Sequence, residues 1–133
     1  MKKLFLLSLF VSMALTAINA QDTKTQDQPA DGPKITFNEQ EHNYGNIQKG
    51  GDGNCEFTFT NEGNEPLILS NVKASCGCTT PSWTKEPIMP GKTGVIKVRY
   101  NTNNVGSFTK TITVTSNAVN APRTTLKIKG KVE

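Results

Sequence analysis

The chain has 133 residues, of which 15 are Lys or Arg and 11 are Asp or Glu, so its formal net charge is +4. Lys2 and Lys3 lie in a predicted leader without acidic residues, and its removal leaves +2 (4 minus 2). Such a small charge does not indicate a nucleic-acid-binding protein, and the alternating Lys127, Lys129 and Lys131 are expected on the solvent face of a strand.

The first 20 residues have the three zones of a secretory signal peptide. A positive start is followed by an apolar run over residues 4–15 and by mostly small or polar residues up to Ala20. The run is shorter than the roughly 20 residues that span a bilayer, so we predict cleavage near Ala20 rather than a retained membrane anchor. The mature protein is therefore expected to lack a membrane span and to be exported to the periplasm or the cell exterior.

Residues 21–33 contain no Leu, Ile, Val, Phe, Tyr, Trp or Met. A segment without large apolar side chains buries too little surface to offset the entropy of ordering, so we predict a disordered polar linker here. The remaining residues, 34–133, have the length of one domain.

From Lys34 onward, apolar and polar residues alternate with the period of two that is typical of half-buried β-strands. Two shorter strands are predicted at residues 35–37 and 43–47, and the more continuously apolar segment 66–72 is predicted to be a central strand. The side chains expected on the buried faces of the clearest strands are Cys55, Phe57, Phe59, Ile96, Val98, Tyr100, Phe108, Ile112, Val114, Leu126, Ile128 and Val132.

Segments rich in Gly, Asn and Pro separate these strands, at residues 50–53, 61–64, 90–91, 103–106 and 117–122. No stretch has the roughly 3.6-residue periodicity of an amphipathic helix. The sequence therefore predicts an all-β protein, an immunoglobulin-like β-sandwich of about seven short antiparallel strands, with a small barrel as the alternative. The distant cysteine pair flanking a Trp, typical of antibody domains, is missing because Trp83 follows the paired cysteines.

The single histidine, His42, is the one candidate base for a nucleophilic triad, and it lies in a polar run, residues 38–43, where a surface position is expected. No Gly-x-Ser-x-Gly, phosphate-loop or His-Glu-x-x-His motif occurs, and the acidic residues are scattered through turns. We therefore predict no catalytic residues, no cofactor and no enzyme activity.

Three cysteines are an odd number for a protein of an oxidising compartment. Cys55 shares its strand face with Phe57 and Phe59, so we interpret it as a small buried core residue. The alternative is a disulfide between Cys55 and one of the later pair, Cys76 and Cys78.

Cys76, Gly77 and Cys78 form the more specific motif. Residues two apart in an extended strand project to the same side, with Cα atoms roughly 6.5 Å apart, at the outer edge of disulfide geometry. A bend at Gly77 would bring them closer. Three interpretations stay open: a structural role, a strained and readily exchanged redox disulfide, or a soft-metal site for Cu(I) or Zn(II). A closed zinc site needs further ligands, for which the chain offers the third cysteine, the single histidine and Met89.

Several short segments carry a family resemblance. The most specific combination is Ser-Cys-Gly-Cys-Thr at residues 75–79 with the later Pro-Gly at residues 90–91, and the other segments are residues 42–47, 57–63, 66–67, 87–92, 106–110, 114–117 and Gly130. Together they resemble the bacterial family named domain of unknown function 1573, small exported domains similar to immunoglobulin-like and major-sperm-protein-like sandwiches. The resemblance covers about residues 35–132 and implies fold and export but no activity. It also implies that Cys76 and Cys78 form a unit, separate from Cys55.

We therefore predict an exported, non-enzymatic binding or structural module of unknown specific role, with an unknown protein or cell-envelope partner. The alternative is a thiol-redox or soft-metal (Cu or Zn) protein, in which Cys76 and Cys78 would be the disulfide or redox pair or the metal ligands. Trp83 follows the cysteine motif, and we predict that it lies with the two cysteines at one end of the sandwich as an interaction surface. An exposed edge strand would offer a second way to pair with a partner.

Overall fold

The computed structural model describes residues 31–133, so the predicted signal peptide and the predicted linker up to residue 30 lie outside the described residues and stay predictions. Within residues 31–133 no helix is long and apolar enough to cross a membrane. The eight strands of this part of the chain are β1 (Ile35–Phe37), β2 (Glu41–Ile47), β3 (Asn54–Asn61), β4 (Leu69–Ala74), β5 (Thr79–Trp83), β6 (Thr93–Tyr100), β7 (Gly106–Ser116) and β8 (Arg123–Val132).

Two four-stranded sheets form a sandwich, which confirms the predicted fold class. The first, sheet A, has the strand order β1-β3-β6-β5, and the second, sheet B, has the order β2-β8-β7-β4. The alternating apolar residues predicted from the sequence are buried between the sheets, because every second side chain of a strand projects to the same face. All twelve predicted core side chains belong to one buried cluster, from Cys55 to Val132.

One strand pair is parallel, whereas the sequence predicted antiparallel strands throughout. β1 pairs with β3 antiparallel in sheet A, and β2 pairs with β8 parallel in sheet B. Only residues 38–40 connect β1 to β2. Because three residues are too few to reverse the chain and cross between sheets, β2 keeps the direction of β1 and joins the other sheet.

The prediction of a central strand at residues 66–72 is wrong. β4 begins at Leu69 and lies at an edge of sheet B, and Leu67 forms an isolated bridge with Ile88 instead. Leu67 and Leu69 are buried, but Ile68, between them, is exposed. The apolar run therefore consists of the buried end of a loop followed by the start of an edge strand. In addition, β5, which contains Pro81, was not predicted from the sequence.

The loops gather at two ends of the sandwich. The end that carries the paired cysteines, called here the cysteine end, is formed by residues 48–53, 75–78 and 101–105. The opposite end is formed by residues 62–68, 84–92 and 117–122. Three residues of the segment predicted as linker contact this opposite end: Asn64 Nδ2 donates to Asp31 Oδ1 at 3.1 Å, Gly32 N donates to Asn64 Oδ1 at 2.7 Å, and Val119 N donates to Pro33 O at 2.8 Å.

Candidate functional site

A short crossover at the cysteine end carries the chain from sheet B to sheet A. Ser75 makes the last bonds to β7, because its N–H donates to Thr111 O at 2.9 Å and its Oγ accepts from Thr111 N at 3.2 Å. Within the next three residues the chain leaves sheet B, and β5 begins in sheet A at Thr79. Cys76 and Cys78 lie in this crossover and are joined by a disulfide, with their Cα atoms 5.3 Å apart.

The disulfide has an apolar side, where Cys78 packs against the hydrophobic core, and a polar side. Both cysteines are half-buried, and Thr79, which follows them, is almost fully buried. The Thr79 hydroxyl lies 3.9 Å from Cys76 Sγ and 3.8 Å from Cys78 Sγ, within hydrogen-bond reach of either sulfur. Asn101 N donates to Cys78 O at 2.8 Å, which ties the crossover to the loop after β6.

This disulfide contributes little to the stability of the fold. Its two cysteines are two positions apart, so the closed loop contains three residues. In the chain-entropy description, a loop of this size constrains the unfolded state by only ~1.6 kcal/mol, about half of what a 15-residue loop gives. Loop-closure entropy therefore gives a structural role only modest support, and the three interpretations of the motif stay open.

The residue between the cysteines is not needed to bend the chain. Gly77 does not adopt a positive φ, and a Cβ atom added to it would meet no atom within 4 Å. The Cα atoms of Cys76 and Cys78 approach because the crossover turns as a whole, with Thr79 N donating to Cys76 O at 3.4 Å. The expected special role of Gly77 in closing the disulfide is therefore not supported.

A groove of about 640 Å³ opens beside the disulfide, and the three loops of the cysteine end enclose it. Its lining is polar and rich in glycine, and its charged side chains are Arg99 and Asp52. Asp52 Oδ1 accepts two hydrogen bonds from Asn54, at 2.9 and 2.8 Å, so the carboxylate is held at the rim of the loop. Cys78 and Gly77 belong to the wall of this groove.

Cys55 lies apart from the disulfide, in the core. It is on β3 opposite Val98, it is buried, and it is a free cysteine, which confirms its interpretation as a core residue. Burial raises the pKa of the Cys55 thiol. A buried neutral thiol of this kind is poorly reactive.

Trp83 is not at the cysteine end, so the predicted grouping of Trp83 with the two cysteines is wrong. The disulfide precedes β5 and Trp83 is its last residue, opposite Ile96, about 13 Å from Thr79 along the strand. The Lys85 ammonium lies 5.0 Å from the centre of the indole ring, and the indole N–H is buried without a hydrogen-bond partner. A separate interaction surface at Trp83 stays a prediction.

The metal interpretation finds no further ligands nearby. Among residues 31–133, no group of three or more His, Cys, Asp or Glu side chains could hold a metal ion. Met89 lies at the opposite end, and both sulfurs of the pair are bonded to each other. Metal binding by Cys76 and Cys78 therefore requires prior reduction of their disulfide, and it stays a prediction.

Each edge of sheet A is blocked at one residue against another strand. In β1, Ile35 directs its N–H and C=O away from β3, and the side-chain amide of Asn120 bonds to both, at 3.0 and 2.9 Å. At the β5 edge, Thr84 N donates to Val95 O, so the even-numbered residues direct their backbone groups to β6. The backbone of Pro81, an odd-numbered residue, therefore faces away from the sheet. Pro81 has no N–H, which is a common way to protect an edge strand.

Sheet B is different because β7 extends beyond its neighbour β4. β4 pairs with β7 only as far as Ala74, and Ser75 adds the last bonds, to Thr111. β7 itself begins five residues earlier, at Gly106. We call residues 106–110 the β7 overhang; it lies at the cysteine end, next to the crossover that carries the disulfide.

The β7 overhang presents backbone groups without partners. Ser116 N donates to Pro122 O, so the even-numbered residues of β7 bond to β8 and the odd-numbered residues face the β4 side. Ser107 and Thr109 therefore direct their N–H and C=O groups to a position that no strand occupies. No other group in residues 31–133 bonds to these four backbone atoms, and both side chains are exposed.

Solved structures place this domain among the immunoglobulin-like sandwiches of the PapD type. A protein of unknown function from Porphyromonas gingivalis W83 matches with a TM-score of 0.67 and 19% identity, over 77% of this chain and 48% of that chain. The human CEP192 PapD-like domain 7 matches with 0.63 and 7%, over 75% and 85%. The CsuC–CsuE chaperone–tip adhesion subunit complex of Acinetobacter baumannii matches with 0.56 and 8%, over 75% and 57%.

The sequence profile of one family, described as protein of unknown function (DUF1573), matches residues 35–132. The chain therefore belongs to this family, as its motifs indicated. It spans about half the length, 48%, of the Porphyromonas gingivalis protein. No curated protein matches the sequence. At these identities the solved structures establish the fold alone.

Proposed function

We propose that this protein is an exported, non-enzymatic binding module that holds an extended segment of a protein or cell-envelope partner at the β7 overhang. One observation carries the proposal: Ser107 and Thr109 present two N–H and two C=O groups, in strand register, to an unoccupied position. An incoming strand would satisfy all four groups and continue the line of β4 along β7.

Backbone pairing of this kind is a common mode of peptide recognition. An added strand obtains affinity from main-chain hydrogen bonds, and the pockets beside the edge select its side chains. The overhang is favoured over the edges of sheet A, because Asn120 and Pro81 each interrupt one of those edges. The polar groove of about 640 Å³ lies at the same end and offers room for side chains that flank the added strand.

The fold supports a binding role by analogy only. The Acinetobacter baumannii structure is a CsuC–CsuE chaperone–tip adhesion subunit pre-assembly complex, and one of its chains has this fold. A sandwich of this fold therefore occurs in a complex with another protein chain. It does not identify a partner for this chain.

A proline substitution tests the overhang. We expect Thr109→Pro to reduce partner capture from the exported fraction at least roughly tenfold, because it removes an N–H that the partner needs and that no strand of the domain uses. Capture by the mature protein should also slow amide hydrogen exchange at Ser107 and Thr109.

Thr125→Pro is the matched control for this experiment. Thr125 is an exposed β8 residue beyond the start of β2, opposite Thr113, and no group in the described part of the chain bonds to its N–H. The substitution is chemically identical but lies away from the cysteine end. Equal capture by the two variants, or partner binding that leaves exchange at Ser107 and Thr109 unchanged, would contradict the proposal.

Export has its own test. We propose that cleavage after Ala20 releases a mature chain that begins at Gln21, since the leader has the zones of a signal peptide. Cell fractionation with intact-mass measurement should find this form in the periplasm or the medium. A chain that keeps Met1 and stays in the cytoplasm would overturn the export proposal without affecting the test of the overhang.

A further inference from the structure

We propose that the Cys76–Cys78 disulfide is a thiol–disulfide exchange site whose substrate is a pair of cysteine thiols on the bound partner segment. This proposal rests on the proposed function only for the identity of the thiol carrier. The exchange chemistry itself belongs to the crossover and can be tested with small thiols alone.

The Cys76–Cys78 disulfide is accessible to an entering thiol, whereas the Cys55 thiol is not. Cys78 is part of the groove wall, and the disulfide is half-buried, so a thiol that enters the groove meets Cys78. Cys55 is enclosed by the core and has no such access. The β7 overhang begins near the same crossover, so a strand docked there would carry its cysteines to the cysteine end.

The reaction transfers two electrons in two exchange steps. A partner thiolate attacks Cys78 Sγ, the Cys76–Cys78 bond breaks, and Cys76 Sγ leaves as a thiolate that takes a proton from solvent. The second partner thiol loses its proton to solvent, attacks the partner sulfur of the mixed disulfide, and expels Cys78 as a thiolate. The partner dithiol becomes a disulfide, the protein becomes a dithiol, and the reverse steps reduce a partner disulfide.

Two side chains favour the charged species in these steps. The Thr79 hydroxyl lies within 3.9 Å of both sulfurs, so it can donate a hydrogen bond to the one that leaves as a thiolate. Arg99 lines the groove from β6, opposite Thr80, and its guanidinium favours the approach of a thiolate. Asp52 is the one carboxylate in the groove wall, and Asn54 already bonds to its Oδ1.

The first test is reduction of the folded mature protein with dithiothreitol, followed by acid quenching, alkylation and mass measurement. We expect two alkylated cysteines, Cys76 and Cys78, with unchanged circular dichroism, and the same result for Cys55→Ser. A disulfide that resists dithiothreitol until denaturant is added, or a fold lost on its reduction, would overturn the proposal.

The second test asks which sulfur reacts, with oxidised glutathione as the probe. Cys76→Ser leaves Cys78 free, and Cys78→Ser leaves Cys76 free, so the two variants control for each other. We expect Cys78 to form the mixed disulfide roughly tenfold faster than Cys76, because Cys78 faces the groove. Equal rates or a faster Cys76 would contradict attack from the groove.

Thr79 is expected to act as a positioning residue in the exchange. Thr79→Val should slow reduction by dithiothreitol roughly tenfold without changing the circular dichroism, and Thr79→Ser should restore the rate. No rescue by serine would overturn this role. Thr109→Pro should leave all rates with small thiols unchanged, so a failure of the overhang and a failure of the exchange site give different results.

Discussion

Asn61→Ala is expected to lower the free energy of unfolding by roughly 3–5 kcal/mol. Asn61 ends β3 and is completely buried. Its side-chain amide joins the backbone of three separate segments at the opposite end of the sandwich, so alanine would remove a connection that no neighbouring side chain can replace.

All of the hydrogen-bonding capacity of this amide is used. Nδ2 donates to Glu65 O at 2.7 Å and to Ile88 O at 2.9 Å. Oδ1 accepts from Gly63 N at 2.9 Å and from Lys34 N at 3.3 Å. Each backbone group that loses its partner in a water-excluded position costs about 1–3 kcal/mol, partly recovered by relaxation.

Asn117→Ala is the matched control. Asn117 also bonds to backbone with both ends of its amide, accepting from Ile68 N at 2.8 Å and donating to Pro66 O at 3.1 Å. Because Asn117 is exposed, water can take over these bonds, and we expect a loss of about 1 kcal/mol or less. Chemical denaturation measures both variants, and similar losses would contradict the assigned role of Asn61.

Gly53→Ala is expected to cost roughly 2–4 kcal/mol and to distort the groove at the cysteine end. A Cβ atom on Gly53 would collide with the backbone O of Tyr100 and lie 3.0 Å from Thr102 Cγ2. The loop would have to move away from β6. That movement would weaken the bonds that Gly53 O accepts from Tyr100 N at 2.8 Å and from the Tyr44 hydroxyl at 2.7 Å.

Gly77→Ala is the control for this substitution. Both glycines lie in the groove wall, but a Cβ on Gly77 meets nothing within 4 Å. We expect a change within about 0.5 kcal/mol. Denaturation midpoints compare the two, and a Gly53→Ala variant as stable as Gly77→Ala would show that the β2–β3 loop does not need its close approach to Tyr100.

Local patterns were sufficient for the strands with strict alternation. Phe57 and Phe59, or Ile112 and Val114, are buried because a period of two places them on one face whatever their neighbours are. The strand predicted at residues 66–72 was wrong, because the pattern of apolar residues cannot show whether a buried residue belongs to a strand or to a loop. It missed β5 because Pro81 argues against a strand unless that strand is an edge.

The candidate site was only partly visible in the sequence. The Cys-Gly-Cys motif could be selected from spacing, but its location between an edge of sheet B and an edge of sheet A depends on strand order. The groove and the β7 overhang depend on the different lengths of β4 and β7, and no local signal marks Ser107 or Thr109. From the sequence, Asn61 and Asn120 were assigned only to turns. Their hydrogen-bond partners are distant in the chain, so no local pattern indicates them.

The sequence by itself determined the all-β class, the inward-facing core residues, the family and the cysteine motif, because these follow from local periodicity, composition and spacing. Only the tertiary structure decided that Trp83 lies away from the cysteines, that β2 runs parallel to β8, and that one strand edge stays unpaired beside the disulfide. These features arise from which strands become neighbours, and strand order is a property of the packed chain rather than of any one segment.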